Sequence, residues 1–194
     1  MAKLLGENKL NTAVFISGRG SNLNSLINFS KKKYCPIKIK LVITNNKEAV
    51  GLKFAKKNKI KSLVVKYTTK FKAERKILNI TSNNNIKLIC LAGFMKILSK
   101  NFINNFKGKI LNIHPSLLPK YKGLNTHKRA LVNGERFSGC TVHLVNSVLD
   151  SGKIILQKRL RVTEKDSEYS LEKKILKLEH KLYPKAIVKF LSNS

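Results

Sequence analysis

A chain of 194 residues that is 42% hydrophobic carries enough apolar side chain for one buried core without disulfide or metal staples, which excludes a disordered chain. No apolar run approaches the roughly 20 residues that cross a bilayer, and the opening MAKLLGENKLN lacks the continuous apolar stretch of a secretion signal, so a cytoplasmic protein with no membrane partner is expected. The formal net charge of +30 comes almost wholly from lysine spread along the chain, with arginine only at Arg19, Arg75, Arg129, Arg136, Arg159 and Arg161. Without a basic arm, an aromatic platform or a zinc motif, this charge reads as a biased composition rather than a nucleic-acid surface, and bears on solubility and the steering of anionic ligands, not on fold.

In chain order, residues 1–10 are expected to be a loose tail ahead of a first strand over 12–17 (TAVFIS), a glycine turn and a helix over 21–32. A second strand over 38–44 (KIKLVIT) and a helix over 48–58 follow, then a strand over 62–66 (SLVVK) and a helix over 70–82. Next come a strand over 87–92 (KLICLA), a helix over 100–106, a strand over 109–114 (KILNIH) and a helix over 126–133. Strands over 140–145 (CTVHLV) and 153–162 precede a long helix over 168–191, which Pro184 should interrupt. Short β-branched runs alternating with helical patterns predict an α/β fold: a mainly parallel sheet of about seven strands with helices on both faces. No repeat or linker divides the chain, so residues 1–194 read as one domain. Cys35, Cys90 and Cys140 are odd in number and widely spaced, which reads as buried thiols in a reducing compartment.

Three places carry chemistry. The first is SGRGSN, where Gly18 and Gly20 stand at a strand-to-helix turn whose backbone N–H groups suit a phosphate, with Gly20, Ser21 and Asn22 as the seat and Arg19 adding charge. Leu23 occupies the place of a third glycine, and Thr44, Asn45 and Asn46 replace a ribose-binding acid, so a dinucleotide fingerprint is incomplete. The alternative for the same residues is an ordinary turn with Ser21 as N-cap. The second place is KILNIHP, where Asn112 and His114 share a strand face and Pro115 ends the strand at the edge where open α/β sheets bind ligands. The third is Asp150, in a turn before the next strand. An amide, an imidazole and a carboxylate together can move an acyl group onto an amine, with the amide on the oxyanion and Asp150 raising the histidine pKa. Read singly, the histidine is a polar loop residue and the aspartate a turn residue. His143 alternates on its strand and could line the cleft, whereas His127 and His180 read as structural. No two histidines or cysteines have ligand spacing, so no metal is expected.

Taken together, SGRGSNL, LAGFMKILS, LNIHPSLLPKYKGLNTH, TVHLV and LDSGKIILQ closely resemble the phosphoribosylglycinamide formyltransferase family, in its order and spacing, over residues 12 to 190. The resemblance implies a Rossmann-like formyltransferase fold and direct transfer of a formyl group from 10-formyltetrahydrofolate to the amine of glycinamide ribonucleotide, in purine biosynthesis. It implies that Asn112, His114 and Asp150 are catalytic, and that Gly20, Ser21, Asn22 and Glu179 hold the ribonucleotide. It also puts the reduced folate against Lys70, Met95, Lys96, Ile97 and Leu98, with Asn112 and His143 beside it. Lys70 and Lys96 stand where arginine is common; lysine keeps the charge but loses the bidentate fork, so weaker folate binding is expected. A monomer or a homodimer is consistent with this reading. Methionyl-tRNA formyltransferase and formyltetrahydrofolate hydrolase share the core, but each normally carries a further domain that the pattern here does not supply. A catalytically silent phosphate-binding or nucleic-acid-binding module would not need all three catalytic residue types.

Overall fold

The computed structural model describes residues 9–193. The expected tail falls, for residues 1–8, outside the described residues, and Leu10 already belongs to the first strand. In chain order the elements are β1 (Leu10–Ile16), α1 (Ser21–Ser30), β2 (Ile37–Thr44), α2 (Leu52–Lys57), β3 (Lys61–Val64), α3 (Lys70–Asn83) and β4 (Leu88–Leu91). Then come α4 (Lys100–Asn105), β5 (Lys109–His114), α5 (Thr126–Val132), β6 (Phe137–Leu144), β7 (Ile154–Arg161) and α6 (Glu168–Ser192).

One seven-stranded sheet runs in the order β3-β2-β1-β4-β5-β6-β7, as the alternating pattern predicts. Strands β1 to β5 are parallel, whereas β6 pairs antiparallel with β5 and β7 antiparallel with β6. The parallel strands are apolar on both sides because helices cover both faces. Val14 and Ile16 pack with Leu23, Leu26 and Ile27 of α1 and Leu171, Ile175 and Ile187 of α6. Their neighbours Ala13 and Phe15 point the other way, toward Ala73 and Ile77 of α3 and Phe102 of α4. The edge strand β7 is largely exposed and carries Lys158, Arg159 and Arg161, charges that discourage pairing with another chain.

Two boundaries differ from expectation for local reasons. β6 starts at Phe137 rather than 140, because Phe137–Gly139 extend the ladder against Arg159–Arg161. Glycine permits that approach, since a Cβ at Gly139 would stand 2.1 Å from the Lys158 carbonyl oxygen. α2 starts at Leu52 rather than 48, because the Asn46 side chain accepts from the Glu48 N–H and shapes a turn first.

The predicted interruption of the last helix does not occur. α6 runs unbroken from Glu168 to Ser192 with Pro184 inside it. Proline has no N–H for the carbonyl four residues earlier, here that of His180. The Ser25 hydroxyl of α1 donates to that carbonyl at 2.8 Å, so the orphan acceptor is satisfied from the neighbouring helix. Ser25→Ala is therefore expected to lower stability by about 1 kcal/mol in urea unfolding with an unchanged m-value. In a Pro184→Ala background, where residue 184 again donates, the same change should cost close to nothing; equal costs in both backgrounds would refute this account.

Candidate active site

The sheet order places the site. From β1 the chain steps outward to β2 and β3, then returns across α3 to β4 on the other side of β1. At such a reversal the loops after two adjacent strands part and leave a crevice at their carboxyl ends. A cleft of about 890 Å³ lies there, lined by the turn after β1, the segment after β4 and the end of β5. The loops are tied together: the Met95 N–H donates to Ser17 Oγ at 2.8 Å, Ser17 donates to Asn45 Oδ1, and Asn46 Nδ2 donates to the Ser17 carbonyl at 3.2 Å. The asparagines that took the place of a ribose-binding acid thus buttress the turn.

The turn itself depends on glycine. Gly20 has φ +73°, and a Cβ there would lie 2.4 Å from the Gly51 Cα, so neither conformation nor space admits a side chain. The Gly51 N–H donates to the Gly18 carbonyl at 3.0 Å and seals the approach. The N-terminus of α1 carries no side-chain cap and no acidic residue in its first turn, leaving its N–H groups directed at the cleft.

Asn112 and His114, two apart on β5, project together, and the antiparallel register sets His143 of β6 opposite Asn112. Asp150 reaches them from the β6–β7 connection in a left-handed conformation, φ +47°. Its Oδ2 lies 3.4 Å from His114 Nδ1 and accepts from the Gly123 N–H at 2.9 Å. Its Oδ1 lies 3.4 Å from Asn112 Nδ2 and 3.6 Å from His143 Nε2. Asn112 Nδ2 also approaches His143 Nε2 at 3.1 Å, and His143 Nδ1 meets the Leu144 carbonyl at 2.8 Å. His143 Nδ1 thus donates to the Leu144 carbonyl, while its Nε2 lies between Asn112 Nδ2 and Asp150 Oδ1. His114 Nε2 faces the Tyr121 carbonyl at 2.9 Å. His114, His143 and Asp150 are all buried.

Burial holds the His114 pKa below its ordinary value, outweighing the Tyr121 carbonyl and the Asp150 charge, both of which raise it. The Asp150 carboxylate acts in the expected upward direction, but desolvation is larger and sets the net direction. For Asp150, burial acts upward, yet contacts from His143 and the Gly123 N–H and the nearby imidazoles prevail and hold its pKa below the ordinary value.

At the other end, Ser21 and Asn22 line the cleft beside Glu179, whose Oε2 accepts from Asn22 Nδ2 at 2.7 Å. Asn22 Oδ1 is buried with no hydrogen-bond partner among the described residues. Burial pushes the Glu179 carboxyl up to about 7, against the opposing hydrogen bond from Asn22. Arg19 pairs with Glu172 at the cleft wall. Met95, Lys96 and Ile97 line the opposite end exposed and Leu98 buried, joined by the exposed apolar side chains of Leu124, Val148 and Leu149. Lys70, at the start of α3, is not among the described residues that line the cleft. Two contributors escaped the sequence reading: the Tyr121 carbonyl, which no side-chain pattern reports, and His127, which lines the cleft and whose buried Nδ1 has no hydrogen-bond partner among the described residues.

Residues 10–187 match the formyl transferase family. A phosphoribosylglycinamide formyltransferase of Haemophilus influenzae is 41% identical over 178 residues, covering 90% of this chain and 84% of that protein. A trifunctional purine biosynthetic protein, adenosine-3 of Drosophila melanogaster, is 41% identical over 99% of this chain, which spans only 15% of that protein's length. The crystal structure of phosphoribosylglycinamide formyltransferase from Brucella melitensis superposes with a TM-score of 0.90 at 41% identity, covering 94% of this chain and 96% of that one. With its seven-stranded sheet shared and nearly its whole length matched, the chain belongs to the formyl transferase family.

Proposed function

We propose that this protein transfers a formyl group from 10-formyltetrahydrofolate to the amine of glycinamide ribonucleotide, a step of purine biosynthesis, with Asn112, His114 and Asp150 as its catalytic residues. The observation that carries this reading is one buried carboxylate, Asp150, in reach of both the Asn112 amide and the His114 imidazole inside the cleft. The names of the relatives support the same substrates. Three free buried thiols agree with a cytoplasmic setting.

Both ends of the cleft suit these substrates. A ribonucleotide phosphate fits the uncapped N-terminus of α1 at Gly20, Ser21 and Asn22, with Arg19 alongside and Glu179 on the ribose. The exposed apolar side chains of Met95, Ile97, Leu124, Val148 and Leu149 form a surface that a flat pterin would cover, and Lys96 supplies a charge for the folate carboxylates. The folate supplies a formyl carbon on a nitrogen that can leave.

When the ribonucleotide amine attacks that carbon, negative charge grows on the formyl oxygen. Asn112 Nδ2 meets it by turning the hydrogen of its longer contact, the 3.4 Å arm to Asp150, toward the oxygen. His114 donates from Nε2, which requires that the imidazole give up the Tyr121 carbonyl and that the 115–123 segment yield slightly. The amine proton passes, directly or through water, to Asp150 and from its Oδ2 to His114 Nδ1; the imidazolium so formed, held by the carboxylate, gives its Nε2 proton to the folate nitrogen as the bond from that nitrogen to the formyl carbon breaks. A low resting pKa for His114 makes its protonated form a strong acid toward the leaving nitrogen.

His114→Ala and Asp150→Asn should each lower kcat by roughly 10²-fold or more, and Asn112→Ala by roughly 10²–10³-fold, with the KM for glycinamide ribonucleotide nearly unchanged. Wild-type turnover in any of the three would remove that residue from the mechanism. Glu179 gives a pH signature. An acid whose pKa rises from 4.5 to about 7 on folding keeps its full stability contribution below pH 4.5, loses it between pH 4.5 and 7, and loses no more above. Glu179→Gln is therefore expected to be increasingly more stable than the parent across that window, by about 3 kcal/mol at its top, as read from urea unfolding. Parallel stability curves for the two proteins would show that Glu179 is not held protonated.

A further inference from the structure

A second concavity, about 870 Å³, lies between α1 and α6, outside the cleft except that Ser21 lines both. Its floor is the turn where α6 carries Pro184 and the His180 carbonyl is satisfied from Ser25. Four lysines line it: Lys32 at the end of α1, and Lys181, Lys185 and Lys189 at successive four-residue steps of α6. None of the described residues lining it is acidic. Like charges so gathered repel one another, and the groove carries no counter-charge of its own.

Two further features make this more than a basic patch. The rings of Phe29, Tyr34 and Phe54 line the same groove, with Tyr34 half exposed and Lys32 Nζ 5.6 Å from its ring centre. His180 Nε2 is buried there without a hydrogen-bond partner among the described residues, an atom whose desolvation is uncompensated. Burial holds the His180 pKa below its ordinary value, so near pH 7 the neutral imidazole can donate or accept according to its tautomer. An exposed aromatic ring beside several cations in one groove is what an aromatic anion requires. The volume suits one nucleotide, whereas a nucleic-acid strand needs a longer track.

We propose that the α1–α6 groove is a binding site for a nucleoside phosphate, with the base against the exposed Tyr34 ring and the phosphates on Lys181, Lys185 and Lys189. The site is separate from the catalytic cleft and stands whether or not the formyl transfer proposed above is correct.

Calorimetric titration of the whole chain with ATP, tripolyphosphate, adenosine and a ten-residue oligothymidylate tests it. One ATP is expected per chain, bound about tenfold or more tighter than tripolyphosphate, since a stacked base contributes on that scale. The Lys181→Gln/Lys185→Gln pair and Tyr34→Ala, all at exposed positions, should each weaken ATP by about tenfold. Lys72→Gln/Lys76→Gln, which removes equal charge from α3 on the opposite face of the sheet, and Asn22→Ala in the cleft should leave it within about twofold. The groove variants should keep the parent's formyl-transfer rate. The proposal is overturned if ATP binds no better than tripolyphosphate, if the α3 pair weakens it equally, if Asn22→Ala abolishes it, or if oligothymidylate outcompetes it with a steep salt dependence. It is equally overturned if Tyr34→Ala converts a dimer to a monomer in sedimentation, because the groove is then covered by a second copy.

Discussion

The Asp150 carboxylate ties together segments that the chain keeps far apart. One oxygen receives the Gly123 N–H and faces His114, and the other faces Asn112 and His143. β5, β6, the excursion after β5 and the β6–β7 connection are therefore held at one point. A buried carboxylate is tolerated only when its lone pairs are met, so its partners are constrained as strongly as it is. The left-handed backbone at Asp150 is the local strain accepted for aiming the side chain inward.

The α1 end of the cleft rests on a second long-range contact. Asn22, at the start of α1, is held by Glu179, near the middle of α6, and both are buried. One residue further along α6, the His180 carbonyl that Pro184 leaves without a donor accepts from the Ser25 hydroxyl, a second tie between the same two helices. The same helix is pinned to the sheet by Tyr183, whose hydroxyl lies between the carbonyls of Leu91 and Leu111 at 3.1 and 2.9 Å. Tyr183 thus couples the ends of β4 and β5 to the helix that presents Glu179, so fold and site share their supports. Burial that pushes the Glu179 carboxyl up to about 7 costs stability at neutral pH and leaves a group that can donate as well as accept.

Much of this was legible in the chain. Short β-branched apolar runs alternating with helical spacing marked the seven strands and six helices of the described residues, since burial on both faces of a parallel sheet leaves continuous apolar runs in the residues themselves. The glycine turn was legible because only glycine adopts the required dihedrals at that distance from a neighbouring backbone. Asn112 and His114 were legible as a pair because two-residue spacing puts side chains on one face.

What the amino-acid sequence alone determined was the order and type of the elements, the strand-edge position of the amide and imidazole, and the glycine seat beside them. Only the tertiary structure brought Asp150 to His114, set His143 against Asn112 through an antiparallel register, and turned the Tyr121 carbonyl onto the imidazole. Tertiary burial also set the directions of the pKa shifts, downward at His114 and upward at Glu179, and α6 stayed whole across Pro184. The division has one physical cause. Local pattern records which atoms a residue offers, whereas desolvation and long-range hydrogen bonds depend on what the rest of the chain brings beside them.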